Sequence, residues 1–133
     1  MSEKREARVE DAMITDLHSI DGLATVGEAM QMMRQHRVSS LVVERRDGDD
    51  EVGLVEVADI AQEVIGENRA PDRVNVYEVM NKPVVTLPPG MRVRYAVRLL
   101  ARSGLSRAVV VDEARNAVGM ATLRDLVLGR PED

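Results

Sequence analysis

The sequence carries one supersecondary unit twice. Laying Met13 on Met80, an offset of 80 − 13 = 67 residues, keeps Ile20 with Leu87, Val26 with Val93, Ala29 with Ala96 and Met33 with Leu100. Val38 with Leu105, Ser39 with Ser106 and Val43 with Val110 continue the same register. Once one residue is dropped from the loop that ends the first hairpin, Gly53/Gly119, Asp59/Asp125 and Ile60/Leu126 follow at an offset of 66. A 133-residue chain is one ordinary domain's worth of sequence. Two half-size units are therefore expected to share a core, with function at their mutual interface.

Each copy reads β-α-β-β-α. In the first, Leu17–Ile20 is a short strand and Asp21-Gly22 a turn. Thr25 and Glu28 have capping-box spacing, and Val26, Ala29, Met30 and Met33 form the apolar stripe of a helix running to about His36. Ser40–Val43 and Val52–Val55 pair as a hairpin around Asp47–Asp50, and a helix from about Val57 to Ile65 stops at Gly66. The second copy supplies strand Val84–Leu87, helix Val93–Arg102, strands Ala108–Asp112 and Ala117–Ala121, and helix Leu123–Leu128. The expected division is a charged tail over 1–8, repeats over 9–66 and 76–129, a polar linker over 67–75 and a tail over 130–133. The fold expected is α+β, two small repeats packed sheet to sheet about a pseudo-twofold axis, which creates two clefts.

Composition removes several classes of function. With 44% hydrophobic and 31% charged residues and no apolar run near the length of a membrane span, the chain reads as soluble, with no membrane partner. Ser2–Arg8 is charged and lacks the apolar stretch of a signal peptide. Absence of cysteine removes disulfides and thiolate chemistry and fits a cytoplasmic location. A net charge of −5 argues against duplex nucleic acid, which needs a clustered cationic footprint. The charge is uneven: residues 1–66 carry 7 basic and 15 acidic side chains (−8), and residues 67–133 carry 11 and 8 (+3). Arg94, Arg98 and Arg102 would form a ridge on one helix, as a solvated face or as a surface for an acidic partner. Met32 lies off the apolar stripe of its helix, and so does its counterpart Leu99, which points to a homodimer through these helices.

The segment Gly119-Met-Ala-Thr122-Leu-Arg-Asp125 ends a strand and opens a helix. A glycine permits close backbone approach, a threonine occupies the helix N-cap, and an aspartate falls at the third helical position. Taken alone this is near a capping box with an acidic residue offsetting the helix dipole. Its repetition within the whole frame gives it more weight. Val9–Met13 and Val76–Met80 lead the two copies, His36–Val43 and Leu105–Asp112 supply the second strands, and Gly53…Asp59 and Gly119…Asp125 close them. In these motifs, spanning about residues 9–128, the sequence resembles a tandem, stand-alone pair of CBS domains, the regulatory module of cystathionine β-synthase.

The resemblance implies a non-catalytic sensor of an adenosine ligand, AMP, ADP or ATP, bound in an inter-repeat cleft, with S-adenosylmethionine as the alternative. Asp125 would accept both ribose hydroxyls, while Thr122 and the helix-start N–H groups would face a phosphate. Arg124 is the nearest phosphate counter-charge. The base would lie against Ile14, Asp16, His18, Val38 and Ser39, and Met120 is counted among the residues of the same cleft. The symmetry-related cleft keeps Asp59 but puts Glu56 where Ser or Thr is expected, and that carboxylate would repel a phosphate. A weak second site is therefore expected at Asp59, bordered by Asn81, Pro83, Val85, Leu105 and Arg107, with Arg107 able to neutralise Glu56. Bound nucleotide would be passed on to an unidentified regulated protein by linkage.

No catalytic grouping is legible, and neither is a glycine-rich phosphate loop. The two histidines lie on different elements without a third ligand, so no metal site is expected. The rival to the sensor is a dimerising adaptor whose clefts bind nothing, a possibility raised by Glu56 and opposed by Thr122 and Asp125.

Overall fold

A computed structural model describes residues 6–129. The tail expected over 130–133 and most of that over 1–8 lie outside these residues. In chain order the elements are α1 (Val9–Ala12), β1 (Ser19–Ile20), α2 (Val26–His36), β2 (Ser40–Val43), β3 (Gly53–Glu56) and α3 (Val57–Ile60). There follow β4 (Thr86–Leu87), α4 (Val93–Arg102), β5 (Arg107–Val111), β6 (Ala117–Thr122) and α5 (Leu123–Leu128). The fold is α+β, with two three-stranded sheets ordered β1-β2-β3 and β4-β5-β6. In each sheet the first pair is parallel and the second antiparallel.

The chain forms two compact units that are not the linear repeats. One is continuous, His18–Val84; the other is split, joining the chain up to Leu17 with Val85 onward. Each repeat has given its leading segment to the other's unit. In the split unit the Val9 N–H donates to the Met91 carbonyl at 2.8 Å, Glu10 to Pro89 at 3.0 Å and Val93 to Ala7 at 3.0 Å. In the continuous unit Val76 donates to Ala24 at 2.8 Å, Tyr77 to Gly22 at 2.9 Å and Val26 to Val74 at 2.8 Å. Every donor and acceptor in the first set has its counterpart 67 positions away in the second, so the exchange is reciprocal.

Each unit has its own apolar core. In the continuous unit α2 lays Val26, Ala29 and Met33 on Leu41, Val43 and Val55 of the sheet, with Val64, Val74 and Val76 closing the sides. The split unit packs Ala96 and Leu100 of α4 on Leu87, Ala108 and Val110, closed by Val9, Ala12 and Leu126. The periodicity of the helices thus does what the sequence implied.

Local chemistry explains the helix ends. Thr25 caps α2, its Oγ1 accepting the Glu28 N–H at 3.1 Å while the Thr25 N–H reaches Glu28 Oε2 at 3.4 Å. Arg37, at φ 56°, ends it in the left-handed region. α4 begins at Arg92 without a side-chain cap, and the Glu6 carboxylate bridges Arg92 at 3.1 Å and Arg94 at 3.2 Å. Two arginines of the expected ridge also flank one ring, Arg94 at 4.8 Å and Arg98 at 5.7 Å from the Tyr95 centroid. The helix expected over Val57–Ile65 is α-helical only through Ile60. It continues as a π-helical turn, Ala61–Ile65, closed by the Gly66 N–H on the Ala61 carbonyl at 2.7 Å.

Candidate functional site

The second closing motif, Gly119–Asp125, runs from within β6 into α5. Thr122 is extended and accepts the Asp125 N–H on Oγ1 at 3.0 Å, which leaves its hydroxyl hydrogen available to donate. The Leu123 N–H is taken by the Ser106 carbonyl at 2.7 Å. Of the first three helical N–H groups, only that of Arg124 is uncommitted, so the helix start offers a phosphate one backbone donor where several were expected. Arg124 is exposed. The Asp125 side chain is half-buried, and among the described residues its carboxylate accepts no hydrogen bond.

Beside this motif, Ile14 pairs with Met120 in both directions, each N–H reaching the other's carbonyl at 2.8 Å. Both backbone polar groups of Ile14 are spent in that pair, so only its side chain is left to line a ligand. Met120 is 6% exposed and presents little surface. Gly119 makes the pairing possible: a Cβ there would fall 2.6 Å from Met13 Sδ and 3.1 Å from the Ile14 carbonyl oxygen. Asp16 is exposed near this edge of the sheet. Arg107, expected at the second site, is the cross-strand neighbour of Thr122.

The first closing motif repeats the backbone and reverses the use of its aspartate. Asn81 and Leu54 pair as Ile14 and Met120 do, at 2.8 and 3.0 Å, and the Val57 N–H is taken by the Ser39 carbonyl at 2.9 Å. Asp59 Oδ2, however, accepts the Glu56 N–H at 2.9 Å and Asn81 Nδ2–H at 3.0 Å. Glu56 at the N-cap has no hydroxyl, and a tie at this helix start runs the other way, from the Glu56 N–H to the Asp59 carboxylate.

The remaining expected residues divide between the units. His18, Val38, Ser39, Asn81 and Pro83 belong to the continuous unit; Val85 and Leu105 belong to the split one. Val38 packs on the continuous unit's core and lines an apolar groove of about 300 Å³ with Met30, Met33, Ile60 and Ala61. Val85 packs on the split unit's core, while Ser39, Pro83 and Leu105 are exposed. Met32 differs from its expected place, being partly buried against the core of the continuous unit, whereas Leu99 is 39% exposed. His18 and His36 lie on different elements, yet their rings stack with centroids 3.9 Å apart and planes 20° apart.

Two carboxyls are held below their usual range. Lys82 Nζ lies 2.6 Å from Asp50 and is the main cause there, aided by the Arg46 N–H at 2.9 Å. The Asn75 N–H at 2.8 Å does the same for Glu78, with Arg69 at 3.2 Å. Among the described residues no group of three or more His, Cys, Asp or Glu could hold a metal ion, and no helix is long and apolar enough to cross a membrane.

Comparison with known proteins bears on these motifs. The CBS domain family matches residues 9–66 and 76–130. The CBS domain-containing protein YhcV of Bacillus subtilis is 30% identical over 122 residues, which cover 92% of this chain and 84% of YhcV. The hexameric CBS-CP12 protein from bloom-forming cyanobacteria superposes with a TM-score of 0.87 at 30% identity, covering 93% of this chain and 68% of that one. The CBS domain pair of protein MJ0100, solved in complex with 5′-methylthioadenosine and S-adenosyl-L-methionine, shares the fold at 21% identity, with a TM-score of 0.80 and coverage of 93% and 95%. Several curated relatives are longer: the chain spans 54% of one from Methanopyrus kandleri and 23% of one from Methanocorpusculum labreanum.

Proposed function

This chain belongs to the CBS-domain family, as a tandem pair of that regulatory module, and from that premise we propose that it senses an adenosine nucleotide, AMP, ADP or ATP, through Asp125. The observation that carries the reading is the contrast between the two aspartates. The Asp125 carboxylate has both oxygens available for ribose hydroxyls, whereas Oδ2 of Asp59 already accepts the Glu56 N–H and Asn81 Nδ2–H and only Oδ1 is left. Ile14, Asp16, His18, Val38 and Ser39 are proposed to receive the base, Thr122 and Arg124 the phosphate. The Asp59 position, with Asn81, Pro83, Val85, Leu105 and Arg107, is proposed to be the weaker site. The repeats are taken as 9–66 and 76–129, and the module as a cytoplasmic, non-catalytic homodimer that passes nucleotide occupancy to a regulated protein.

S-adenosylmethionine is the second reading. It is favoured by the single uncommitted N–H at the start of α5, a poor cradle for a polyphosphate, and by the complexes of the MJ0100 pair. A chain that binds neither class would be a dimerising adaptor.

Thermal unfolding with AMP, ADP, ATP and S-adenosylmethionine separates these readings. A ligand at about 100 times its Kd adds about 2.7 kcal/mol, a shift of several degrees. A shift from a nucleotide that is lost in Asp125→Ala supports the first reading, a shift from S-adenosylmethionine alone supports the second, and no shift with any ligand leaves the adaptor.

A further inference from the structure

The continuous unit contains a cavity of about 780 Å³, within the span of roughly 300–1,000 Å³ typical of small-molecule sites. It opens at the end of β2 marked by Val43. Ser40, at the other end of that strand, is the residue paired with Glu56, so the cavity and the Asp59 motif sit at opposite ends of the sheet. Its apolar surface comes from Val43, Met80, Tyr77 and Leu23, the last two 51% and 75% exposed.

The charges at the cavity are of both signs and balance. Lys82 and Arg46 converge on one carboxylate, that of Asp50, at 2.6 and 3.2 Å, and the Asp50 side chain is only 8% exposed. That carboxylate holds the partly buried Lys82 ammonium at the cavity and engages the exposed Arg46 guanidinium. Arg45 adds a third positive charge, and Asp21 and Glu44 bring the acidic count, with Asp50, to three. Asp21 Oδ1 accepts the Leu23 N–H at 2.8 Å and Glu44 Oε1 the Ser19 hydroxyl at 3.4 Å, leaving the second oxygen of each uncommitted. A neutral set of separated charges gives little net attraction to a simple anion or cation. It suits a molecule that is itself neutral overall with separated charges.

The duplication provides an internal control. At an offset of 67, Arg45, Arg46 and Lys82 correspond to Asp112, Glu113 and Thr15 in the split unit, and Tyr77 corresponds to Glu10. The backbone is nevertheless the same, the Tyr77 N–H bonding the Gly22 carbonyl as Glu10 bonds that of Pro89. The fold therefore does not require the cations or the aromatic ring.

We propose that this cavity binds a zwitterionic small molecule of the amino-acid type. Its carboxylate faces Lys82 and Arg46, its ammonium faces Asp21 and Glu44, and its apolar side chain lies on Tyr77, Leu23 and Val43. The site is separate from the nucleotide reading and does not rest on it.

NMR titration of the full chain with L-leucine tests this, with isovalerate and isopentylamine as probes carrying one charge each. L-leucine is expected to shift the methyl signals of Leu23, Val43 and Met80 and the ring signals of Tyr77 to saturation, with an affinity at least tenfold above either single-charge probe. Lys82→Gln and Tyr77→Ala are each expected to weaken L-leucine at least tenfold; Tyr77 is half-exposed, so its variant reports even where Lys82→Gln fails to fold. The proposal is overturned by the absence of a saturable response, by equal affinity for a single-charge probe, by unchanged affinity in a folded variant, or by responses clustered at Thr122–Asp125.

Discussion

Asn81 donates from Nδ2 to Asp59 Oδ2 at 3.0 Å, on the same oxygen that takes the Glu56 N–H at 2.9 Å. That oxygen joins the start of α3 to the leading segment of the second repeat. Asp125, 66 residues further on, stands at the equivalent helix position and its carboxylate makes no such bond, while the Thr122 hydroxyl accepts the Asp125 N–H. One duplicated aspartate ties down its helix start through its side chain, and the other makes no such bond.

This division predicts unequal losses of stability. Asp59→Ala removes two hydrogen bonds at a helix start and should lower the unfolding free energy by about 1–2 kcal/mol. Asp125→Ala loses only a favourable helix-dipole contact and should cost about 0.5 kcal/mol. Urea unfolding at pH 7 measures both, and equal losses would contradict the division.

Gly119→Ala should be destabilising by about 1–3 kcal/mol, the usual range for overpacking. The added methyl meets Met13 Sδ, which can move, and the Ile14 carbonyl, which is held by the Met120 N–H at 2.8 Å. Gly90→Ala, where the methyl meets nothing within 4 Å, should leave Tm nearly unchanged.

Much of this arrangement is legible in the sequence because it depends on local pattern. The stripes of α2 and α4, the Thr25–Glu28 box and the glycines of the closing motifs follow from spacing. Exchange of the leading segments is not legible, since Val9 and Val76 fit either copy's core equally well by sequence. Nor is the bond from Asn81 to Asp59, which joins side chains 22 residues apart in the chain. The stack of His18 on His36 likewise depends on tertiary placement rather than spacing. The π-helical turn after Ile60 leaves no mark in the apolar pattern, because Val64 is buried as a helix would require.

Acid should expose the work of Asp50. Lys82 holds its carboxyl below the ordinary value of about 3.9, so the contribution is present above about pH 4 and is lost as pH falls toward the depressed value. Denaturation midpoints between pH 7 and pH 2 should fall less steeply below pH 4 in Asp50→Asn than in wild type. Parallel profiles would remove Asp50 from the account.

The proposed dimer predicts that Leu99→Glu lowers the solution mass to that of one chain while leaving the fold intact, since Leu99 is 39% exposed. Met32→Glu should instead destabilise the chain, because Met32 packs partly against the core. Sedimentation and circular dichroism of both variants check this, and an unchanged mass for Leu99→Glu excludes that helix from the interface.

Isothermal titration of an adenosine ligand into wild type, Asp125→Ala and Asp59→Ala tests the central claim most directly. The account predicts that one of AMP, ADP, ATP or S-adenosylmethionine binds wild type. Asp125→Ala should weaken it by roughly 10- to 100-fold, the worth of charge-assisted hydrogen bonds, and Asp59→Ala by less than about threefold. No heat from any of the four, or a loss in Asp59→Ala as large as that in Asp125→Ala, would contradict it.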